Sequence, residues 1–219
     1  MKKQLLTLTL TSIMISSEIF AGGTVRGKVD IDRVRFGRVR KKSNRSNVVV
    51  FIENLRGNKR ERKTLLQKKK KFSPRVLPIV AGGIVEFPNK DPYNHNVFSP
   101  TKGITFDLGY MGYNENKKVQ FKRVGAVRVY CNIHSKMVAD ILVVPNRYYA
   151  KTGRNGKFKI KNIPPGTYTF VAWQPLGAAE KKNIRITNGR VEVLNFKIRE
   201  TVFKVTHKNK FGQAYEKDY

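Results

Sequence analysis

The residues best suited to chemistry lie in Val127-Arg128-Val129-Tyr130-Cys131-Asn132-Ile133-His134-Ser135-Lys136-Met137. A thiol, an imidazole and a thioether fall within seven residues there, at Cys131, His134 and Met137. A second imidazole, His95, stands in Asp91-Pro92-Tyr93-Asn94-His95-Asn96-Val97-Phe98, just before another apolar run. Strand alternation puts Val127, Val129 and Cys131 on one face, so the thiol points where core residues point. Two imidazoles, one thiolate and one weak thioether make the ligand set of a blue-copper site. Such a set suits both copper oxidation states in nearly one geometry, and a long axial Met contact tunes the potential.

Other uses of these residues compete with that one. Cys131 could be a buried bystander or a redox-reactive thiol, with His134 and Met137 packing beside it by chance. Against chance stands their clustering in a chain with one cysteine and three histidines. A thiol switch lacks a resolving cysteine. Zinc could occupy a tetrahedral set, but a thioether is an unusual zinc ligand. An oxidase or nitrite-reducing enzyme needs a second copper site, and after His95 and His134 only His207 remains. That histidine lies in a polar tail and is expected to be solvated, so the chain is expected not to be an enzyme.

The elements around these residues read as all-β. Short Val, Ile, Phe and Tyr runs are separated by Gly, Pro and Asn, and no long segment has helical periodicity. Strands are predicted at Val48 to Ile52, Gly83 to Phe87, Asn96 to Ser99, Val127 to Cys131 and Val138 to Val144, and again at Lys157 to Ile160, Thr167 to Trp173 and Val191 to Ile198. Val138 to Val144 is apolar almost throughout and should be a central strand. The reading divides the chain into a signal peptide (1–21), the first strands of a β-sandwich module (22–56), a basic linker (57–75), a unit holding the metal ligands (76–145), the rest of the sandwich module (146–200) and a loosely held polar tail (201–219). Between Glu53 and Arg75 there are ten basic and two acidic residues, a pattern that predicts a solvated loop.

Two resemblances sharpen this division. Residues 76–145, with Cys131-x-x-His134-x-x-Met137 and His95-Asn96-Val97, resemble a cupredoxin of the plastocyanin and amicyanin type. The resemblance implies a Greek-key β-sandwich holding one type 1 copper ion, with His95, Cys131 and His134 in the trigonal plane and Met137 axial. It further implies that Asn96 ties the two ligand loops together and donates a hydrogen bond to the Cys131 sulfur, and that electrons pass through an exposed edge of His134. Amicyanin-type loops carry prolines where this chain has Asn132, Ile133, Ser135 and Lys136. The segment from Gly153-Arg-Asn-Gly156 through Ile163-Pro164-Pro165-Gly166-Thr-Tyr168 resembles a transthyretin-like or carboxypeptidase regulatory-like β-sandwich, an interaction module packed with the copper unit or holding it as an insertion. The combination is similar to exported bacterial proteins labelled methylamine utilisation proteins.

Composition sets the cellular context. The chain has 219 residues, and 45 Lys and Arg against 15 Asp and Glu give a net charge of +30. Lys2 and Lys3 precede an apolar run too short to span a bilayer comfortably, followed by Ala21, Gly22 and Gly23, which reads as a secretory signal peptide with cleavage expected after Ala21, the alternative being an uncleaved membrane anchor. The expected location is the periplasm. Losing Lys2, Lys3 and Glu18 with that segment leaves +29. Export removes the usual nucleic-acid partners, and the basic runs lack interleaved stacking aromatics, so no nucleic acid is expected. The expected partners are an acidic periplasmic redox protein, such as a c-type cytochrome or dehydrogenase, and an anionic envelope surface. The resulting expectation is a carrier of single electrons. The alternatives are copper storage or delivery, and an envelope-binding module that uses its copper unit only as scaffold.

Overall fold

The computed structural model describes residues 22–57, 60–201 and 207–215, so the expected signal peptide lies outside the described residues. All regular structure in the described residues is β. The first strands are β1 (Gly23–Arg35), β2 (Arg38–Lys41) and β3 (Val49–Ile52), then the short β4 (Arg62–Thr64), β5 (Leu66–Gln67) and β6 (Phe72–Ser73). The candidate metal ligands fall among β7 (Val76–Val80), β8 (Gly83–Pro88), β9 (His95–Ser99), β10 (Phe106–Met111), β11 (Asn116–Phe121), β12 (Gly125–Cys131) and β13 (Val138–Val144). The chain continues with β14 (Tyr149–Lys151), β15 (Lys157–Ile163), β16 (Gly166–Trp173), β17 (Glu180–Ile186), β18 (Val191–Val193) and β19 (Phe196–Thr201).

Four sheets form two sandwiches that share an apolar seam. One sheet has the order β15-β1-β18, with β19 and β2 also on β1, and it faces the sheet β14-β3-β16-β17. Val25, Val29, Ile31, Phe158, Ile160 and Phe196 from the first meet Val50, Ile52 and Phe170 from the second. The other sandwich places β10-β9-β12-β13-β7 against β11-β8-β4, with Val85, Phe87 and Phe121 packed on Val127, Val129 and Ile141. Between the two lies a third cluster, in which Val49, Phe51 and Val171 meet Val76, Val80, Leu142 and Val144. Period-two alternation explains how strands serve two cores. Val50 and Ile52 of β3 face one way while Val49 and Phe51 face the other, and β13 likewise splits into Ala139, Ile141, Val143 and Leu142, Val144. The near-continuous apolar run at Val138 to Val144 is that of a strand buried on both faces.

Because β1 and β3 pair with β15 and β16, the sandwich module is discontinuous and the strands that carry the candidate ligands are threaded between its halves. The basic segment 57–75 departs from its predicted state as a solvated loop. β4 adds in parallel to β8, β5 pairs with β6, and Leu65, Gln67 and Phe72 are buried. Alternation carries the charges outward while the few apolar side chains enter the core, which a count of charges does not register. The predicted strand Val191 to Ile198 is divided at Leu194 and Asn195. Its halves pair in parallel with successive stretches of β1, and the break lies beside Gly27, where any Cβ would come within 1.8 Å of the Leu194 carbonyl oxygen. Asn195 fills the gap by accepting the Lys28 N–H through Oδ1 at 2.9 Å.

Candidate metal centre

Pairing of β9 with β12 brings the site together. Tyr130 opposes Phe98 and Cys131 opposes Val97, so the end of β12 lies beside the start of β9, where His95 stands. The chain then turns back through Asn132 to Lys136. The Met137 N–H donates to the His134 carbonyl at 3.0 Å and the Cys131 N–H to the Met137 carbonyl at 3.1 Å, which closes a tight loop. These bonds hold His134 over the same spot that His95 and Cys131 face.

Three ligand atoms converge there. His95 Nδ1 lies 3.1 Å from His134 Nδ1, and Cys131 Sγ lies 3.9 Å from the first and 3.7 Å from the second. A point equidistant from all three is about 2.1 Å from each, the length of a metal–imidazole bond. His95, Cys131 and Met137 are fully buried and His134 is 6% exposed. Among the described residues this group holds three His, Cys, Asp or Glu ligands. Three such donors suit a trigonal copper plane better than a closed four-ligand zinc site. Met137 lies in the same core, at the end of the loop that carries His134.

The surrounding hydrogen bonds orient this set. The Ile133 N–H donates to Cys131 Sγ at 3.4 Å, which fixes the position of the sulfur. His95 Nε2 lies 2.9 Å from the buried Asp91 Oδ2, so the imidazole proton sits on Nε2 and Nδ1 keeps its lone pair for a metal. Asp91 is fixed in turn by the N–H groups of Lys69 at 2.5 Å and Lys70 at 2.8 Å. Both lysines have positive φ, 56° and 52°, in a reversal closed by mutual hydrogen bonds between Lys68 and Lys71. The lysine run read as solvated charge therefore forms a turn that aims two amides at the carboxylate behind His95. Sequence reading missed Asp91 as an orienting residue. The available signal was a carboxylate four residues before a candidate ligand.

Three expectations for the site need correction. Asn96 donates to Asp107 Oδ1 at 2.6 Å and to the Gly109 carbonyl at 2.9 Å, so it ties β9 to β10, and the amide facing the sulfur is that of Ile133. His134 is buried and lacks the expected exposed edge. The tail is not loosely held at residues 207–215. His207 stacks on Tyr130 with ring centroids 4.1 Å apart and bonds the Ser135 carbonyl. The Tyr215 hydroxyl donates to the Cys131 carbonyl at 2.6 Å, and the Lys210 N–H donates to Asn132 Oδ1 at 2.8 Å. The tail thus covers the outer side of the ligand loop, and aromatic stacking replaces the solvation expected for His207.

The electrostatics favour an unprotonated His134 at neutral pH. Burial, aided by the charges of His95 and Lys70, lowers the His134 pKa below its ordinary 6.5. Burial alone would raise the Asp91 pKa, but hydrogen bonds from Lys70, His95 and Lys69 outweigh it and hold the carboxyl below its ordinary 3.8. Both shifts make the metal-free fold acid-sensitive. Protons bind His134 more readily in the unfolded chain, so stability declines as pH falls below 6.5, and the Asp91 contribution, full above 3.8, is lost as pH drops through its lower folded value. Urea midpoints between pH 7 and 3 should fall throughout. Asp91→Asn should flatten the most acidic part of that curve and weaken Cu(II) affinity by about ten- to a hundredfold in a chelator competition.

Comparison with known proteins gives partial matches. A family described as "Polysaccharide lyase family 4, domain II" matches residues 145–194, within the sandwich module. No curated protein matches the chain. Among solved structures, a reduced amicyanin variant is 19% identical, with 36% of this chain and 79% of that one covered and a TM-score of 0.35. A purple cupredoxin from Nitrosopumilus maritimus is 21% identical over 38% of this chain and 99% of its own, with a TM-score of 0.34. A copper-containing nitrite reductase from Thermus scotoductus SA-01 is 24% identical over 42% of this chain and 24% of its own, with a TM-score of 0.38.

Proposed function

We propose that this chain is an exported type 1 copper protein that carries single electrons between periplasmic redox partners. The observation that carries this reading is the buried triangle of His95 Nδ1, Cys131 Sγ and His134 Nδ1, sized for one metal ion. Copper bound there would supply a one-electron couple, and His95, Cys131 and His134 would hold it, with the Met137 thioether as a fourth donor. The chain's own part is to keep the ligands in place before and after each transfer. Asp91 holds the His95 proton on Nε2, Ile133 steadies the sulfur, and the tail residues His207 and Tyr215 exclude water from the outer face of the loop. A net charge of +29 after export would draw an acidic redox partner to the protein surface. As a carrier the protein would turn over no substrate; beyond the two site histidines the sequence offers only His207.

The test is a visible and electron paramagnetic resonance spectrum after one equivalent of Cu(II). An intense thiolate-to-copper band at about 600 nm is expected for this ligand set. Weak copper binding without such a band would sink the reading. Electron exchange with a c-type cytochrome that outpaces loss of copper to an apo acceptor separates electron carriage from copper delivery.

A further inference from the structure

The β1–β2 hairpin carries a charge pattern that the copper site does not use. Its register places Arg33 opposite Arg40 and Arg35 opposite Arg38, so four guanidinium groups project from one face of two paired strands. With Phe36 they line a single concavity. Like charges set directly opposite one another destabilise a sheet. Among the described residues Arg33 alone of the four has a carboxylate, its Nε lying 3.1 Å from Glu200, which Lys42 shares at 2.8 Å. Among the described residues Arg35, Arg38 and Arg40 have no ion-pair partner. At the tip, Phe36 and Gly37 turn the chain with φ of 49° and 71°, a reversal that thrusts the Phe36 ring outward at 90% exposure. Val39, opposite Val34 on the other face of the hairpin, is 58% exposed.

We infer that this hairpin docks the protein on an anionic phospholipid surface, with Arg35, Arg38 and Arg40 binding lipid phosphates and Phe36 entering the interface. Guanidinium groups match phosphate oxygens in paired hydrogen bonds, and a phosphate layer removes the repulsion between the opposed arginines. The apolar tip selects a bilayer over a soluble polyanion, because a ring standing in water gains by burial only where acyl chains lie under the charges. The inference is independent of the copper reading.

Vesicle flotation tests it, using the chain from Gly22 onward, which holds every described strand. The protein should partition onto vesicles of phosphatidylcholine with one-quarter phosphatidylglycerol and stay off pure phosphatidylcholine. Replacing Arg35, Arg38 and Arg40 together by Gln should weaken partitioning about a hundredfold, and Phe36→Ser about tenfold. Gln at Lys157, Lys159 and Lys161, exposed on β15, removes equal charge elsewhere and should have a much smaller effect. Unchanged circular dichroism confirms that each variant folds. Equal losses in the two triple variants would overturn the proposal by assigning binding to diffuse charge. Full retention by Phe36→Ser, with heparin competing equally against both proteins, would overturn it in favour of a soluble polyanion.

Discussion

Cys131→Ser should abolish the intense visible band of the copper-loaded protein and leave any bound Cu(II) with only the weak absorption of nitrogen and oxygen ligation. The thiolate is the single soft donor in the triangle, and a serine hydroxyl stays protonated at neutral pH, so the variant cannot supply an anionic ligand. Affinity should fall at least about a hundredfold, because two imidazoles and a thioether remain where a charged ligand stood. The fold should survive. The Ile133 N–H that now meets Sγ can meet the serine oxygen, and burying a hydroxyl at this fully enclosed position costs about 1–3 kcal/mol. Far-ultraviolet circular dichroism and the melting temperature of the metal-free variant separate loss of ligand from loss of fold. A variant that keeps the band would remove Cys131 from the site.

The largest effect on stability is expected at Phe121. This ring is fully buried at the end of β11 and meets the Phe106 ring edge-on, with centroids 5.9 Å apart, while Phe106 lies 6.0 Å from Phe87. The three rings form the aromatic centre of the sandwich that positions the ligands. Phe121→Ala should cost about 3–5 kcal/mol, from lost transfer energy and a cavity that rigid neighbours cannot close. In a chain of this size that lowers the melting temperature by about 10 °C. Saturating copper should restore part of the loss, since ligand that binds only the folded state stabilises it by mass action. Calorimetry of the metal-free and loaded variant checks both statements. A loss under about 1 kcal/mol would mean that the two sheets do not pack through these rings.

How much of this was legible in the sequence depended on the range of the interactions involved. Residues near in sequence were well marked. The alternation of Lys157-Phe158-Lys159-Ile160 and of Val127-Val129-Cys131 is a local pattern, and each places its apolar or thiol side chains inward. The candidates His95, Cys131, His134 and Met137 stood out because rare residue types fell at short spacing. Sequence could not assign the lysine run at Lys68–Lys71, because solvated charge and a turn aimed at a carboxylate have the same composition. The backbone amides that distinguish them carry no residue-type signal. Nor could it foresee that His207 and Tyr215 would cover the ligand loop, since those contacts join positions more than seventy residues apart.

Sequence alone therefore determined the all-β character, the strands around the site and the candidate donor residues. These follow from side-chain period and from ligand chemistry, both of which are written residue by residue. Only the tertiary structure decided that Asn96 serves β10, that Asp91 orients His95, that His134 is buried, and that four arginines line one side of a hairpin. Those outcomes depend on strand register and on which backbone groups are left over once the sheets have paired. Register is settled by the packing of the whole fold.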